Sequence, residues 1–286
     1  MKFGELDIFL VSDGRFRLDG GAMFGVVPKA LWERQVPADE RNRITLGLNC
    51  LLIRATGKTL LVETGIGEKL DSKWQDIYGV EHTATLVESL GACGVAPEEV
   101  DIVINTHLHF DHCGGNTRRD RDGKLVPVFP RARYLVQRGE LEHARQPTER
   151  DRASYLPENF EPVAVRGQWE EVEGNREVVP GVELVRVPGH TRDLQCIKLT
   201  SVGRTAFFFA DLVPTRAHLP FSWVMGYDLY PLTTLEQKKI WVPEAIRNEW
   251  LCLFAHDLEV PAAYLRERNG KVVAEPFLEP ELVGPN

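Results

Sequence analysis

The sequence Thr106-His107-Leu108-His109-Phe110-Asp111-His112-Cys113-Gly114-Gly115 places three histidines and one carboxylate between positions 107 and 112. His107 and His109 are two positions apart, so in an extended segment their side chains point the same way. Imidazole nitrogens and carboxylate oxygens are ligands for divalent metals such as zinc. This stretch therefore predicts a metal site, and its density of ligands is enough for two ions held side by side.

The residues around this stretch predict its place in the fold. Residues 100–105 are mostly apolar and predict a buried strand, so the histidines would follow the C-terminal end of that strand. Sites on α/β sheets usually lie at that edge. On the other side, Gly114 and Gly115 allow the chain to turn tightly.

The pattern of residues 107–112 resembles the H-x-H-x-D-H motif of the metallo-β-lactamase superfamily. That family has three later ligands, and this chain offers a candidate for each in the same order: His190, Asp211 and His256. Each candidate directly follows an apolar, strand-like segment. Taken singly, such a residue is more often structural, but the ordered set makes a chance match improbable. The resemblance covers nearly the whole chain.

The resemblance implies an α/β fold, namely an αββα sandwich of two similar halves with the metals at one edge of the sheets. No repeat, low-complexity run or flexible linker divides the sequence, so residues 1–286 are predicted to form a single domain. The local patterns predict a first strand over residues 3–12 that turns at Asp13-Gly14, and a helix capped by Thr83. They also predict a helix over residues 234–249 that breaks or kinks near Pro243, and a final hairpin.

The composition excludes several classes of function. The chain has 286 residues, of which 43% are hydrophobic and 27% charged, and its net charge is -8. These fractions are ordinary for a soluble globular protein. The acidic balance argues against a nucleic-acid partner, because phosphate binding needs a basic surface. No apolar run of about 20 residues is present, so no membrane span is expected, and the chain is expected to remain in the cytoplasm.

Two residues outside the predicted ligand set, Cys113 and Glu63, each allow more than one structural role. The five cysteines form no C-x-x-C pair, so neither a thiolate zinc site nor a disulfide framework is predicted. Cys113 adjoins a predicted ligand, but a packing role is favoured because free cysteines are commonly buried. The superfamily has an Asp-x-Gly-like turn where this chain has Glu63-Thr64-Gly65. Glu63 is expected either to orient the ligand loops or to lie in a surface turn.

By resemblance, seven side chains bind two divalent metal ions: His107, His109 and His190 the first, Asp111, His112 and His256 the second, with Asp211 shared between them. All seven donors are nitrogen or oxygen, which fits zinc and also iron, manganese or cobalt. Two such ions bring the pKa of a shared water towards neutrality. The resulting hydroxide attacks a polarised carbonyl or phosphoryl group, while Asp111 orients the nucleophile and relays its proton.

The ligand set favours one branch of the superfamily. The best-known zinc β-lactamases carry Cys at the position of Asp211, and hydroxyacylglutathione hydrolases have a C-terminal helical region where this sequence predicts strands. Residues 107–116 and 211–218 are similar to those of quorum-quenching lactonases. The expected reaction is therefore lactone opening, with N-acyl homoserine lactones as substrates. Alternatives are ester, thioester or organophosphate hydrolysis on the same dinuclear site. A non-catalytic scaffold is disfavoured because no ligand is lost.

The substrate contacts are less defined by the sequence. Several related lactonases place a Tyr shortly after the bridging Asp, where this chain has Pro214, and the candidates to replace that Tyr are His218, Tyr227 and Tyr230. Met23 and Phe24 are further candidate contacts. They lie in a glycine-rich apolar stretch, residues 20–28, that predicts a flap over the site, a subunit interface or a packed loop. The resemblance also implies a homodimer formed through residues 20–32.

Overall fold

Apolar runs rich in Val, Ile, Leu and Phe form the strands of two large sheets. The structure is a computed structural model that describes residues 1–277 and residue 282. In chain order the strands are β1 (Lys2–Phe3), β2 (Leu6–Asp19), β3 (Arg43–Ala55), β4 (Lys58–Val62), β5 (Ile102–Ile104), β6 (Thr117–Arg119), β7 (Leu125–Pro127), β8 (Arg133–Gln137), β9 (Trp169–Val172), β10 (Arg176–Val179), β11 (Val182–Arg186), β12 (Gln195–Ser201), β13 (Arg204–Phe208), β14 (Leu251–Leu253), β15 (Ala262–Arg268) and β16 (Lys271–Pro276).

The helices lie between these strands. They are α1 (Gly20–Phe24), α2 (Lys29–Trp32), α3 (Ser72–Tyr78), α4 (Leu86–Ala92), α5 (Phe110–Cys113), α6 (Arg138–Arg145), α7 (Pro157–Val165) and α8 (Pro231–Arg247). Single 3-10 turns occur at Pro97–Glu99, Gly114–Asn116, Ala210–Leu212 and Arg216–His218. None of the helices in the described part of the chain has the length and apolar content needed to cross a bilayer.

Each sheet has seven strands, some of which pair antiparallel and others parallel. The first sheet has the order β1-β2-β3-β4-β5-β8-β9, in which the strands from β4 to β9 run parallel. The second sheet runs in chain order from β10 to β16 and is antiparallel except for the parallel pair β13 and β14. Strands β6 and β7 form a separate small hairpin. The two halves are therefore similar, as the sequence predicts.

The two sheets pack face to face, and helices cover their outer faces. Leu51 and Ile53 of β3 belong to the same buried cluster as Ile197 and Phe208 of the second sheet. On the other face of β3, Leu52 clusters with residues of α4 and α7. Helix α8 covers the second sheet, where Trp241 stacks on Phe207 with ring centroids 5.2 Å apart. This is the predicted αββα sandwich.

The first strand differs from its prediction. Strand β2 runs from Leu6 to Asp19, and residues 13 and 14 form a bulge within it, not a turn. The pairing shifts there, because Ser12 lies opposite Asn49 while Arg15 lies opposite Gly47. The bulge turns Asp13 inward, where its carboxylate accepts hydrogen bonds from the amides of residues 67 and 86 at 2.8 and 2.9 Å.

The helix predictions also need correction. Helix α4 is capped by Thr85, not Thr83, and Thr85 forms a capping box with Glu88. Helix α3 is not predicted by the sequence patterns. Residues 20–24 form α1, in which Met23 and Phe24 are buried, whereas Val26 beyond the helix is 92% exposed.

The last helix and the final hairpin are close to expectation. Helix α8 starts at Pro231, three residues earlier than predicted, and it continues through Pro243 to Arg247. Strands β15 and β16 form the predicted hairpin, and the turn between them has positive φ at Asn269 and Gly270. Asn and Gly are the residues that best tolerate this conformation.

Candidate metal centre

The first group of candidate ligands comes from both halves of the molecule. His107 and His109 follow β5, and His190 follows β11, so the two sheets bring them together. Nδ1 of His109 lies 3.1 Å from Nε2 of His190, and all three residues are buried. One nitrogen from each of the three rings lies within 4.8 Å of the others, which is close enough to share one cation.

A second group lies beside the first. Nε2 of His256 is 3.0 Å from Nε2 of His112, and Oδ2 of Asp111 is 3.6 Å from each of these nitrogens. Asp111 and His112 belong to α5, whereas His256 follows β14 of the other half. All three are buried or nearly so.

Asp211 lies between the two groups. Its Oδ2 is 3.3 Å from Nε2 of His190 in the first group. Its Oδ1 is 3.4 Å from Nε2 of His112 and 3.2 Å from Nε2 of His256 in the second. The structure thus brings together all seven residues that the sequence names as metal ligands.

Hydrogen bonds to Nδ1 orient two of the ligand rings, those of His190 and His256. Nδ1 of His190 lies 2.8 Å from a carboxylate oxygen of Asp228, and Nδ1 of His256 lies 2.8 Å from the carbonyl oxygen of Gly47. Carboxylate and carbonyl oxygens only accept, so each Nδ1 donates. In the neutral form of each ring, Nε2 then presents a lone pair to the site, which is the arrangement that metal-binding histidines require.

This donor set fits a divalent cation. Nε2 of His107 and Oδ1 of Asp211 are buried and have no hydrogen-bond partner. A buried donor or acceptor without a partner is costly, and a cation bound to these atoms would remove that cost. Nitrogen and oxygen donors in close groups of three are typical of zinc and neighbouring transition metals.

The pKa values of the ligand histidines reflect their burial and the charges of their neighbours. Burial lowers the pKa of His107 and His109 well below the usual value, and the neighbouring imidazoles lower it further. Both rings are therefore neutral at neutral pH. Burial opposes the charged form of His112, but the carboxylate of Asp211 and then that of Asp111 raise its pKa well above the usual value. The carboxylates thus favour positive charge in the centre.

Glu63 orients the motif. Its Oε1 accepts a hydrogen bond from the amide of Thr106 at 3.0 Å and lies 3.5 Å from Nδ1 of His112. Glu63 is buried and has a φ of 64°, in the left-handed region that non-glycine residues rarely adopt. Ala210 has a φ of 47° immediately before Asp211, at the matching strand end of the other half. The orienting role is thus the alternative that the contacts support, and Glu63 does not lie in a surface turn.

The glycine pair of the motif serves close packing. A Cβ on Gly114 would lie 2.0 Å from the carbonyl oxygen of Ile66, and one on Gly115 would lie 2.2 Å from that of Thr64. Gly114 has a helical φ of -58°, so the tight turn expected there is not its reason for being glycine. The two positions require glycine because the motif and the loop after β4 lie too close together to leave room for a Cβ atom.

Cys113 packs and is not among the candidate ligands. It is buried, and its Sγ donates to the carbonyl oxygen of Leu108 at 3.3 Å. Burial raises the pKa of its thiol well above the usual value, so the thiolate is disfavoured. The packing role favoured by the sequence is confirmed.

Glu140 is a buried contact that the sequence patterns do not indicate. From α6, its Oε1 accepts hydrogen bonds from the amide of Leu108 and the hydroxyl of Tyr155, both at 3.0 Å. Leu108 lies between two candidate ligands, and the ring of Tyr155 packs against that of His109 with centroids 4.8 Å apart. Glu140 therefore fixes the backbone of the motif from outside it.

A cavity of about 160 Å³ opens onto the ligands. Besides five of the candidate ligands, its walls include Leu18, Met23, Tyr78, Phe110, Arg150, Ala153, Ser154, Met225 and Tyr227. Tyr78 and Arg150 are wall residues that sequence reasoning missed, because α3 and the loop after α6 carry no recognisable motif. The wall is apolar with a few polar groups, as binding pockets usually are.

Two of the five predicted substrate contacts lie in the wall of this cavity. Met23 and Tyr227 line it. Phe24 and His218 lie behind the wall, stacked on each other with ring centroids 4.6 Å apart, and Nε2 of His218 faces the carbonyl oxygen of Met23. Tyr230 is 43% exposed and lies outside the cavity wall. These three candidates do not line this cavity.

The comparisons with known proteins agree with this geometry. Residues 44–256 match the metallo-beta-lactamase superfamily. An N-acyl homoserine lactonase from a Bacillus species is 28% identical over 242 residues, covering 79% of this chain and 85% of that protein. A probable metal-dependent hydrolase from Staphylococcus aureus has a TM-score of 0.88 and 32% identity, covering 98% of this chain and 100% of that one. AidC, a dizinc quorum-quenching lactonase, has a TM-score of 0.80 at 19% identity, covering 97% and 96%.

The αββα sandwich and the histidine and aspartate groups at its edge define a metal-dependent hydrolase. This chain belongs to the metallo-β-lactamase superfamily, whose match spans well over half of its length. Relatives in several Bacillus species carry the name N-acyl homoserine lactonase at about the same identity. The likeness to AidC, at 19% identity, shows the fold alone.

Proposed function

We propose that this chain holds two divalent metal ions and opens lactone rings by hydrolysis, with N-acyl homoserine lactones as substrates. The observation that carries the proposal is the position of Asp211, whose two carboxylate oxygens face separate groups of ring nitrogens. The lactone follows from the names of the relatives, which cover most of this chain. Zinc is the proposed metal, with iron, manganese or cobalt as alternatives, because nitrogen and oxygen donors suit all four.

Seven side chains hold the ions in this proposal, three for each ion and one shared: His107, His109, His190; Asp111, His112, His256; and Asp211. When bound, two divalent ions supply Lewis acidity that lowers the pKa of a water and stabilises developing negative charge. The partners on the far side of the rings, among them Asp228 and Glu63, keep the donor atoms aimed at the centre.

Asp111 is the proposed catalytic residue. It lines the cavity, so its carboxylate can orient the attacking water and accept its proton. The water oxygen bonds to the lactone carbonyl carbon, the ring C–O bond breaks, and Asp111 returns the proton to the ring oxygen that leaves. The product is a hydroxy acid, which is ionised at neutral pH, so one proton is released per ring opened.

Tyr227 is the proposed contact to the substrate carbonyl in place of the residue at Pro214. It lines the cavity, and its hydroxyl has no hydrogen-bond partner among the described residues. Burial raises the pKa of its phenol, so the hydroxyl remains a donor at neutral pH. Pro214 itself lies behind the site, where its carbonyl oxygen accepts a hydrogen bond from the amide of His256 at 3.0 Å.

Acid release in a pH-stat tests this function. The zinc-loaded protein would be given N-acyl homoserine lactones of short and long chain, with a thioester and a phosphotriester beside them. We expect lactone turnover that falls at least about 100-fold in Asp111→Asn, because that change removes the proposed general base and alters a proposed ligand of the second ion. Turnover of the thioester or phosphotriester without lactone turnover would keep the metal centre and reject the substrate.

A further inference from the structure

The wall of the cavity carries one positive side chain near the candidate ligands. Within the part of the chain that the structure describes, Arg150 is the only Lys or Arg that lines this cavity. The other wall residues outside the ligand set are apolar or neutral. A guanidinium in such a wall adds a directed group for oxygen anions, since its planar N–H groups match a carboxylate.

Arg150 has no carboxylate partner among the described residues. Its Nη2 donates to the backbone carbonyl oxygen of Gly226 at 2.5 Å. By contrast, Arg145 at the end of α6 pairs with Glu161. A guanidinium has five N–H donors, and one backbone contact leaves most of them available to a ligand.

The loop that carries Arg150 is held in place by several contacts. Asp151 accepts hydrogen bonds from the amide and hydroxyl of Thr148 at 2.8 and 2.6 Å, and its second oxygen lies 2.5 Å from Nε2 of His143. The carbonyl oxygen of Ser154 accepts a hydrogen bond from the amide of Phe110, the first residue of α5. The backbone of Arg150 is therefore fixed relative to the metal motif.

We propose that Arg150 selects lactones whose acyl arm ends in a carboxylate. The inference rests on the proposed lactone hydrolysis and adds a substrate class to it. The cavity of about 160 Å³ is lined by both the candidate ligands and Arg150, so one small molecule bound in it can contact both. With the ring at the metal centre, a terminal carboxylate on that arm pairs with the free N–H groups of Arg150.

Two lactones of equal length test this selection. Homoserine lactone acylated with succinic acid ends in a carboxylate, and the same lactone acylated with succinamic acid ends in a neutral carboxamide. We expect kcat/KM to be about tenfold higher for the carboxylate, a charge-assisted contact at a partly exposed site. The preference should shrink as salt rises, since the pair is screened.

Three variants decide whether Arg150 is responsible. Arg150→Gln should bring the ratio of the two kcat/KM values to about 1, and Arg150→Lys should keep part of it. Arg152→Gln is the matched control, because Arg152 belongs to the same loop, is exposed and lies outside the cavity wall; it should keep the full ratio.

The outcomes separate this inference from the proposed function. Equal turnover of the two lactones by the wild type, or a preference that survives in Arg150→Gln, would overturn the role of Arg150 and leave lactone hydrolysis standing. Opening of neither lactone by an enzyme that opens a simple N-acyl homoserine lactone would overturn the inference alone, whereas opening of none of the three would reject the proposed function, and the inference with it.

Discussion

Asp228 determines the state of a candidate metal ligand without facing the metal centre. Its carboxylate lies 2.8 Å from Nδ1 of His190, and both side chains are buried. This contact fixes the tautomer of the imidazole and the orientation of its ring. Its influence on metal binding therefore acts through His190.

The change Asp228→Ala should weaken binding of one metal ion by about 10- to 100-fold, because His190 loses the partner that orients it. Competition with a chromophoric chelator measures the affinity directly. Asp7→Ala is the control, since Asp7 pairs with Lys2 at the surface, far along the chain from the site. Equal affinity in wild type and Asp228→Ala would show that the ring needs no such support.

Glu140 provides a second test at the residue scale. Replacing it by Leu leaves the buried amide of Leu108 without an acceptor, which should destabilise the fold by about 1–3 kcal/mol. Glu140→Gln keeps an acceptor oxygen and should lose much less. Urea unfolding of the metal-free proteins compares the two. A Leu variant as stable as the Gln variant would contradict the role assigned to this hydrogen bond.

These residues show how far the site follows from sequence. His107, His109, Asp111 and His112 are neighbours in sequence, so their spacing alone predicts a metal site. His190, Asp211 and His256 are recognisable only by resemblance to a family. Asp228 and Glu140 act through contacts between distant segments, and single carboxylates of this kind leave no local pattern.

At the scale of elements, only one of two nearby threonines, Thr85 and not Thr83, caps helix α4. The hydroxyl of Thr85 accepts from the amide of Glu88 at 3.3 Å, and the carboxylate of Glu88 accepts from the amide of Thr85 at 2.8 Å. Thr83, two residues earlier, is exposed. Sequence patterns locate a helix start only to within a few residues, since either threonine is a suitable cap.

The change Thr85→Ala should therefore destabilise the protein by about 1 kcal/mol, and Thr83→Ala should leave stability unchanged. Urea denaturation with equal slopes for the two variants would measure the difference. A loss of stability in Thr83→Ala with none in Thr85→Ala would reverse the assignment of the cap.

Through a buried lysine, helix α8 holds the segment that precedes the wall residue Met225. Nζ of Lys238 donates to the carbonyl oxygens of Pro220 and Trp223, both at 2.8 Å. Burial lowers the pKa of this ammonium from 10.5 to about 7. Between these values the unfolded chain binds a proton that the folded chain does not, so the free energy of unfolding rises with pH.

The stability of the wild type relative to Lys238→Met should thus rise between pH 7 and pH 10, by up to about 1.4 kcal/mol per pH unit. The contribution of Lys238 is lost as the pH falls through about 7. Lys239→Met is the control, because Lys239 is half-exposed and pairs with Glu236. Urea unfolding in chelator at several pH values makes the comparison. Parallel curves for wild type and Lys238→Met would contradict the lowered pKa.

The elements that the sequence misplaces share a physical cause. The Asp13-Gly14 dipeptide favours a turn locally, but pairing with β3 continues on both sides and makes it a bulge. Helix α3 has no buried residues, so no apolar periodicity announces it. By contrast, the long apolar strands were predictable because burial on both faces gives them a continuous pattern.

At the scale of the whole molecule, the metal centre lies on a seam between the two halves. The side chain of Asn49 in β3 donates to the carbonyl oxygens of Phe254 and Asp257 at 3.0 and 2.8 Å, on either side of His256. The amide of Gly47 donates to the carbonyl oxygen of His256 itself at 2.9 Å. Ligands from both halves therefore meet only when the two sheets are packed together.

The overall architecture follows from resemblance more than from local pattern. Alternation and length predict strands and helices, yet the pairing of β4 with β5 and of β13 with β14 is a long-range property. The family motif supplies what the local patterns lack, because the resemblance implies an αββα sandwich of two similar halves. The single domain over residues 1–286 and the dimer through residues 20–32 stay predictions.

Titration of the metal-free protein with zinc, followed by acid release from an N-acyl homoserine lactone, tests the central claim most directly. If two ions act together, the rate of acid release should rise until about two zinc ions per chain are bound and then stay constant. A rate that reaches its plateau at one ion per chain would contradict the dinuclear centre. No acid release from a protein holding two ions would contradict the lactone substrate.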